Sequence, residues 1–505
     1  MCGISGLVLC RNKIGGVSLA FAMTKMNDAL YRRGPDDQGI WLDGENNIAL
    51  GHRRLAVIDL SEKGKQPMRS ACGRYVIVYN GEIYNYRAIR KELEKEGVSI
   101  DGDSDTAVLL ASIVKWGIKS SIKKAHGMFA FSLWDCDDKV LYLVRDRLGE
   151  KPLYYGYSGN QFLFASELKS LTSFPEWRGE IDRDVLTLQL RHGYIPAPYS
   201  IYKGIFKLLP GSILKLPLED LQYRKELNPG GQSIDKNSLS PQRYWSARSV
   251  AETAVNNKVH YTKEAAVNTL QDLLSGTIKN QMIADVPLGA FLSGGIDSSI
   301  VVALMQSQSI NPVRTFTIGF HEARFNEAKH AKKVADHIGT DHTEMYITSK
   351  EAMDVIPDLP GYYDEPFSDP SQIPTYLVSK LAKEQVTVCL SGDGGDELFA
   401  GYERYFWAMS VRNIIESLPM MARNTFASIL QRVPIPIWDM LLTTSYPVLP
   451  KRFHFHQPGE KLNKLGDLLR TKDFELMYRR LISQIGDPEK YVLGSTDPKT
   501  VLSMK

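Results

Sequence analysis

The sequence lacks the features of a secreted, membrane-spanning or disulfide-stabilised protein. Its five cysteines form no CxxC pair and no Cys/His cluster, which argues against a disulfide framework and a structural zinc site; they are Cys2, Cys10, Cys72, Cys136 and Cys389. No apolar run reaches about 18 residues, and the N-terminus has no basic region followed by an apolar segment of signal-peptide length. We therefore expect a cytoplasmic protein that does not enter a membrane.

The chain also lacks a large excess of positive or negative charge. The chain has 61 Lys and Arg residues against 58 Asp and Glu residues, a net charge of +3, so charge gives no general reason to expect a nucleic-acid partner. With 505 residues, of which 43% are hydrophobic and 24% charged, the composition is typical of a globular protein of several domains.

The first 170 residues alternate short strand patterns with amphipathic helix patterns. Strands are predicted near 75–79 and 139–144, and helices over 20–31, 86–96 and 106–116. This mixture predicts a layered α+β domain. A stretch rich in Pro and Gly from 190 to 245 then indicates a domain junction.

The segment after residue 245 has a different pattern, in which apolar strands and helices alternate. The predicted order is helix 263–282, strand 286–292, helix 298–308, strand 315–320, helix 326–338 and a strand near 386–390. Such alternation is typical of a parallel sheet with crossover helices. After Tyr402 the chain is predicted to be mostly helical.

Several residues of the first half could form an amide-hydrolysing site. Removal of Met1 would leave Cys2 with a thiol and an α-amine that could accept its proton, although Cys2 could also be an ordinary second residue. Arg53 or Arg54 could bind a substrate carboxylate or be a solvated charge.

Two further positions have a chemical and a purely structural interpretation. The Asn80 amide and the Gly81 N–H could stabilise an oxyanion, but Asn-Gly is also a common hairpin turn. Asp105, at a predicted helix start, could hold a substrate ammonium or cap the helix.

The order and spacing of these residues resembles the class II, N-terminal-nucleophile (Ntn) glutamine amidotransferases. The resemblance implies that Cys2 is the nucleophile, that Asn80 and Gly81 form the oxyanion hole, and that glutamine is bound by Arg54, Asn80, Gly81, Glu82 and Asp105. Arg54 is preferred to Arg53 because it directly precedes Leu55 in the family pattern. Similar strings at 127–131, 145–155 and 164–169 extend the match to about residue 170.

A Gly-rich loop between a predicted strand and a predicted helix, Phe291 to Ser299, could bind phosphates. Its small residues let backbone N–H groups approach a polyphosphate at the helix N-terminus, and it lacks the Gly-Lys-Ser/Thr of a Walker A loop. The spacing resembles the pyrophosphate loop of ATP pyrophosphatases. A second Gly-rich turn, Leu390 to Tyr402, is acidic, so Asp297 and Asp396 are candidate Mg²⁺ ligands, with a helix-capping role as the alternative.

A glutaminase half followed by a pyrophosphatase half resembles the glutamine-hydrolysing asparagine synthetases, and the resemblance spans residues 2 to about 402. It implies an α+β Ntn sandwich at 2–205, an α/β ATP-pyrophosphatase core at 206–402 and a helical continuation at 403–505. In that family aspartate attacks the ATP α-phosphate, and ammonia then travels through an internal tunnel and displaces AMP. Asp393 matches the acidic residue of the acyl-adenylate step, and the string at 364–371 matches a loop near the acceptor. ATP is the co-substrate and Mg²⁺ the metal, with the ATP contacts at Leu292, Ser293, Gly294, Gly295, Asp297, Ser298, Ile318, Ser391 and Gly392.

The sequence departs from that family after residue 402. The family's Asp-Arg-x-Ser-Met string is not found in 403–505, so no catalytic lysine is assigned and we expect the C-terminal part to be incomplete. Two alternatives stay open: another acceptor carboxylate, such as a uronic acid sugar in surface polysaccharide synthesis, or a glutaminase whose second half only binds nucleotide. The oligomeric state is also open, with a homodimer among the options.

Overall fold

The structure is a computed structural model and describes residues 1–9, 18–230, 238–322, 326–446 and 457–500. Cys10, one of the scattered cysteines, lies outside the described residues. The strands are β1 Gly3–Leu9, β2 Asp37–Asp43, β3 Ile48–Arg54, β4 Met68–Arg69, β5 Tyr75–Ile83, β6 Gly127–Asp135, β7 Val140–Arg145, β8 Tyr154–Ser158, β9 Gln161–Ala165, β10 Ile205–Lys207, β11 Ser212–Pro217, β12 Gln242–Arg243, β13 Leu288–Phe291, β14 Arg314–Phe320, β15 Asp341–Ile347 and β16 Val388–Leu390.

The described residues also form twenty α-helices. They are α1 Leu19–Asp28, α2 Tyr86–Lys95, α3 Asp105–Trp116, α4 Ile118–Lys124, α5 Leu168–Thr172, α6 Arg183–His192, α7 Leu218–Gln222, α8 Ala247–Asn256, α9 Lys263–Gln281, α10 Ile296–Ser307, α11 Ala328–Ile338, α12 Ser349–Asp354, α13 Leu359–Tyr362, α14 Gln372–Lys383, α15 Gly395–Phe399, α16 Glu403–Ser417, α17 Met420–Arg432, α18 Ile435–Ser445, α19 Pro458–Leu469 and α20 Phe474–Leu481. Among the described residues, none of these helices is both long and apolar enough to span a membrane.

Two antiparallel six-stranded sheets form the first half. Their strand orders are β10-β8-β9-β1-β3-β2 and β12-β11-β7-β6-β5-β4. Buried side chains of both sheets, among them Ile4, Leu50, Val78 and Trp134, share one hydrophobic core. Helix α1 packs on the outer face of the first sheet, and α2, α3 and α4 pack on the second. This arrangement is the layered α+β sandwich that the sequence predicts.

Asn80 and Gly81 do not form the hairpin turn that was the structural alternative. They continue β5, where Asn80 pairs with Ala130 and Gly81 with Phe129 of β6. A Cβ on Gly81 would lie 2.3 Å from the Met128 carbonyl oxygen, so glycine is needed here for the close approach of two strands. The chain turns later, at Tyr84 and Asn85, before α2.

A parallel four-stranded sheet follows, in the order β15-β14-β13-β16. Helices α10 and α11 share one core cluster with this sheet, and α14 shares another. The sheet confirms the predicted α/β architecture. Strand β15 is absent from the sequence prediction; it is an edge strand in which Asp341 and Glu344 interrupt the apolar alternation.

The chain divides into two compact units. One comprises Met1–Asp182 and Ile195–Gly392, and the other comprises Arg183–Tyr194 and Asp393–Lys505. The described part of the second unit is helical, as predicted for the residues after Tyr402. It includes α6, because Arg191 binds Asp497 at 2.9 Å and the Gly486 carbonyl at 2.7 Å. The predicted domain boundaries after residues 205 and 402 stay predictions.

Candidate active sites

Cys2 lies directly before β1, at the edge of the first sheet. Pairing of Gly3 with Arg53 brings Cys2 beside the end of β3, where the Leu55 N–H donates to the Cys2 sulfur at 3.4 Å. Arg33 Nε donates to the Cys2 carbonyl oxygen at 2.8 Å. Burial raises the pKa of the Cys2 thiol. The thiol therefore needs a proton acceptor before it can act as a nucleophile.

Asn80 has a buried side chain whose amide oxygen and nitrogen both lack a hydrogen-bond partner among the described residues. Only 1% of the residue is exposed. An unpaired buried amide is costly, so the position favours a ligand that supplies the missing hydrogen bonds. The preceding residue is fixed, since His52 Nε2 lies 3.0 Å from the Tyr79 carbonyl, and burial lowers the pKa of His52 to about 4.

Asp105 is buried and binds residues at both ends of the β5 segment from Tyr79 to Ile83. Its Oδ2 atom accepts from the Tyr79 hydroxyl and from the Ile83 N–H, each at 2.9 Å. The N-cap of α3 is Ser104, whose hydroxyl accepts from the Ala107 N–H. Asp105 lies in the first turn, where its Oδ1 atom accepts from the Thr106 N–H at 2.9 Å, so it also binds the start of the helix. Burial raises the pKa of Asp105. The negative charge of the Asp105 carboxylate raises the pKa of the Cys2 thiol. Cys2 therefore lies within electrostatic range of the carboxylate that holds residues 79 to 83.

Glu82 is a second acidic group of this region. Burial, reinforced by the charge of Asp105, raises the pKa of Glu82 to about 7, while Lys151 opposes that rise. The two carboxyl groups thus form an acidic pair near Cys2. Such a pair suits a substrate ammonium, whose positive charge would relieve their mutual repulsion.

The two adjacent arginines face different surroundings. Arg54 is buried, and its guanidinium donates to the carbonyls of Asp59 and Ser61. Its positive charge also lowers the pKa of the Cys2 thiol, in opposition to burial. Arg53 instead pairs with Asp28 and donates to the Asn27 carbonyl of α1. The geometry therefore places Arg54, the predicted residue, on the side of Cys2.

The sequence interpretation missed two cations beside the N-terminus, Arg33 and Lys151. Lys151 is 4% exposed, and its Nζ lies 2.8 Å from the Met1 sulfur. Burial lowers the pKa of Lys151, and the positive charge of Arg33 adds to this effect. Within the described ranges no carboxylate lies close enough to form an ion pair with it. A lysine in a turn is normally interpreted as solvent-exposed, so no pattern in the sequence indicates that Lys151 is buried.

The Gly-rich loop after β13 is ordered by its own hydroxyl groups. The Ser298 hydroxyl accepts from the Ser293 N–H at 3.3 Å and lies 2.9 Å from the Ser293 hydroxyl. Gly294 has a φ of 79°, and a Cβ there would lie 2.7 Å from the Ala331 nitrogen. Gly295 is the N-cap of α10, so the capping alternative for Asp297 is wrong. The loop thus presents backbone N–H groups at the start of a helix of 12 residues.

The other predicted ATP contacts of the first unit lie at neighbouring strand ends. Gly392 follows β16 and approaches α10 so closely that a Cβ would lie 2.7 Å from the Ser298 nitrogen. Ile318 lies in β14, which pairs with β13, and Ser391 directly precedes Gly392. Ligands of open α/β sheets bind at the carboxyl ends of the strands, which is where the predicted residues gather.

Asp393 and Asp396 belong to the second unit. Asp396 lies in the first turn of α15, whose N-cap is Gly394, so the capping alternative is wrong for Asp396 as well. Within the described ranges, no group of three His, Cys, Asp or Glu side chains could hold a metal alone. Mg²⁺ in nucleotide sites is held by one or two carboxylates together with phosphate oxygens and water. Asp297 and Asp396 each carry a carboxylate of the kind that such sites use.

The chain matches two families in succession. Residues 1–226 match the glutamine amidotransferase domain family, and residues 269–500 match the asparagine synthase family. A putative glutamine-hydrolysing asparagine synthetase 2 of Methanocaldococcus jannaschii is 37% identical over 84% of this chain and 79% of its own length. Glutamine-hydrolysing asparagine synthetase 1 of Bacillus subtilis is 35% identical over 82% of this chain and 60% of its own length. A putative glutamine-hydrolysing asparagine synthetase of Mycobacterium tuberculosis is 32% identical, over 86% and 65% respectively.

Proposed function

The chain belongs to the glutamine-hydrolysing asparagine synthetase family, and from that premise we propose that it makes asparagine from aspartate, glutamine and ATP. Residues 2–205 are proposed to carry the glutaminase, 206–402 the synthetase core and 403–505 its helical continuation. The cytoplasm suits this reaction, because it supplies ATP and keeps the Cys2 thiol reduced.

The glutaminase reaction uses Cys2 after Met1 is removed. The α-amine of Cys2 takes the thiol proton, and the sulfur attacks the amide carbon of glutamine. The Asn80 amide and the Gly81 N–H bind the oxygen that becomes negative. The amine returns the proton as ammonia leaves, and water then hydrolyses the thioester to glutamate. The unpaired, buried Asn80 amide is the observation that carries this assignment.

Glutamine is oriented by charges at its amino-acid end. Glu82 and Asp105 bind its ammonium, and Arg54 binds its carboxylate. Two hydrogen bonds tie the Arg54 guanidinium to the carbonyls of Asp59 and Ser61, which leaves further N–H donors for a substrate.

The synthetase reaction uses the loop from Leu292 to Ser298. Its backbone N–H groups bind the ATP phosphates while the aspartate carboxylate attacks the α-phosphate and pyrophosphate leaves. Asp393 supports the aspartyl-AMP intermediate, from which ammonia displaces AMP to give asparagine. Asp297 and Asp396 would hold Mg²⁺, which supplies positive charge that neutralises the phosphate oxygens.

A comparison of two nitrogen donors tests this function. The wild type and Cys2→Ala are incubated with aspartate, Mg-ATP and either glutamine or ammonium chloride, and mass spectrometry follows glutamate, asparagine, AMP and pyrophosphate. We expect Cys2→Ala to lose asparagine formation from glutamine and to keep it from ammonia. Asparagine formed from glutamine by Cys2→Ala would contradict the proposed nucleophile, and a wild type that forms no AMP would contradict the synthetase.

A further inference from the structure

Two consecutive carboxylates, Asp364 and Glu365, join the parallel-sheet region to the sandwich within the first unit. Asp364 accepts from the Leu168 N–H at 2.5 Å and from the Lys169 N–H at 3.3 Å. Both donors begin helix α5, whose own N-cap residue, Glu167, makes no side-chain capping bond. Asp364 therefore takes the place of a cap from a distant part of the chain.

Glu365 makes a second set of contacts on the same side. It lies 2.5 Å from Lys207 Nζ and accepts from the Ile201 N–H at 2.8 Å. The side chains of Glu365 and Lys207 are only 10% and 15% exposed. A buried charge pair of this kind is sensitive to geometry, because each ion has left water and depends on its partner. The segment therefore docks in one defined position.

Polar contacts continue from Asp364 to the candidate nucleophile. Lys169 Nζ lies 3.5 Å from Asp364 and 3.1 Å from Glu167. Glu167 also pairs with Arg33 at 2.9 Å. Arg33 Nε in turn donates to the Cys2 carbonyl oxygen at 2.8 Å. Every link between Asp364 and the backbone of Cys2 is therefore a direct contact.

The same segment is tied to the nucleotide side through apolar packing. Tyr363, directly before Asp364, belongs to a hydrophobic cluster with Leu359 and Leu377 that also contains Ile318. Ile318 is one of the proposed ATP contacts. The segment of Asp364 and Glu365 therefore connects Ile318, a proposed ATP contact, with the ion pairs that lead to Arg33.

We propose that Asp364 and Glu365 are positioning residues for glutamine hydrolysis, contributed by the synthetase half of the chain. Glu365 docks the segment on Lys207 and Ile201. Asp364 holds Lys169, Lys169 holds Glu167, Glu167 holds Arg33, and Arg33 fixes the backbone of Cys2. Both the thiol and the α-amine belong to Cys2, so its backbone orientation sets their placement toward the Asn80 amide. This inference rests on the proposed role of Cys2.

The test measures both nitrogen donors on the full chain. In Asp364→Asn we expect kcat for glutamine hydrolysis to fall about tenfold while KM for glutamine changes less than about twofold, because orientation of the nucleophile is lost rather than binding. In Lys169→Met, which breaks the same link and leaves the acceptor-loop string at 364–371 unchanged, we expect asparagine formation from ammonia to stay at the wild-type rate. Asp354→Asn is the matched control, since its exposed carboxylate makes no hydrogen bond or ion pair among the described residues, and we expect it to behave as wild type.

A double-mutant cycle separates positioning from general destabilisation. If Asp364 acts through Arg33, the loss of kcat in Asp364→Asn combined with Arg33→Lys is smaller than the product of the single losses. Independent effects, or an equal loss of ammonia-dependent synthesis in Lys169→Met, would overturn the inference. Lys169→Met removes the middle link and replaces Asp364→Asn if that variant does not fold.

The Cys2→Ala variant distinguishes this inference from the proposed function. Glutamine hydrolysis that survives in Cys2→Ala contradicts the nucleophile itself. The other outcome overturns only the positioning role. In that case Cys2→Ala is inactive, while kcat stays at the wild-type value in Asp364→Asn, in Lys169→Met and in their double mutant.

Discussion

Glu82 is a residue of the proposed glutaminase site, and its charge changes near neutral pH. Its pKa is raised to about 7 by burial and by Asp105, so the carboxyl is protonated below that pH and ionised above it. Only the ionised form attracts the ammonium of glutamine. We therefore expect KM for glutamine to rise as the pH falls below 7, and Glu82→Gln to have a high KM at every pH. Initial rates from about pH 6 to about pH 8.5 measure this dependence; parallel profiles for the two proteins would exclude the assignment.

Asn80 gives a prediction about the transition state rather than about binding. Asn80→Asp keeps the size of the side chain but replaces the donor N–H₂ by an oxygen, which repels a developing oxyanion. We expect kcat for glutamine hydrolysis to fall by about 10²-fold to 10³-fold, as for other lost oxyanion donors, with little change in KM. Ammonia-dependent synthesis serves as the internal control, since it does not use this donor. A variant with unchanged kcat would remove Asn80 from the catalytic site.

Sequence patterns lead to proposals for site residues where the chemistry requires a particular side chain. Cys2, Asn80 and Asp105 could be proposed from residue type and order, and the structure brings their surroundings together. Burial of a charged residue is not visible in this way. Lys151 is buried because it lies against Met1, a contact between residues 150 positions apart that no local pattern contains.

The loop before α10 gives a prediction about a whole element. In Gly294→Ala the added Cβ would meet the Ala331 backbone nitrogen at 2.7 Å, at a φ of 79° that disfavours a side chain. The loop must shift from its proposed position around the ATP phosphates, so we expect acceptor-dependent exchange of labelled pyrophosphate into ATP to be lost while glutamine hydrolysis continues. Gly276→Ala is the control, because nothing lies within 4 Å of its added Cβ in helix α9. Normal exchange in Gly294→Ala would show that this loop does not hold the phosphates.

Elements with a strong apolar period were predictable, and those shaped by distant contacts were not. Helix α10 and strand β14 have the predicted type within a few residues of the predicted bounds. Strand β5 runs past Asn80 and Gly81 because β6 pairs with it there, a tertiary contact that overrides the local turn preference. Strand β15 escaped prediction because it is polar and at the sheet edge.

At the level of the whole chain, the order of the two halves was predictable from motifs, but the way in which the chain divides was not. Helix α6 lies in the first half of the sequence, yet its Arg191 is held by Asp497, more than 300 positions later. An arginine near a helix end is typical of a solvated charge, so its role in the second unit becomes visible only in the structure.

The last prediction concerns the separation of the two chemistries. Asp393 is proposed to act only in the formation of aspartyl-AMP, and it belongs to a different compact unit from Cys2. Asp393→Asn keeps the shape of the side chain and removes its charge, so we expect AMP, pyrophosphate and asparagine to fall together by at least about tenfold. Glutamate from glutamine stays within about twofold of wild type, because the sandwich keeps all of its proposed groups. Parallel quantification of the four products gives both rates in one reaction. If glutamate falls in proportion to AMP, the two halves act as one catalytic unit, and the assignment of separate residues to separate steps is wrong.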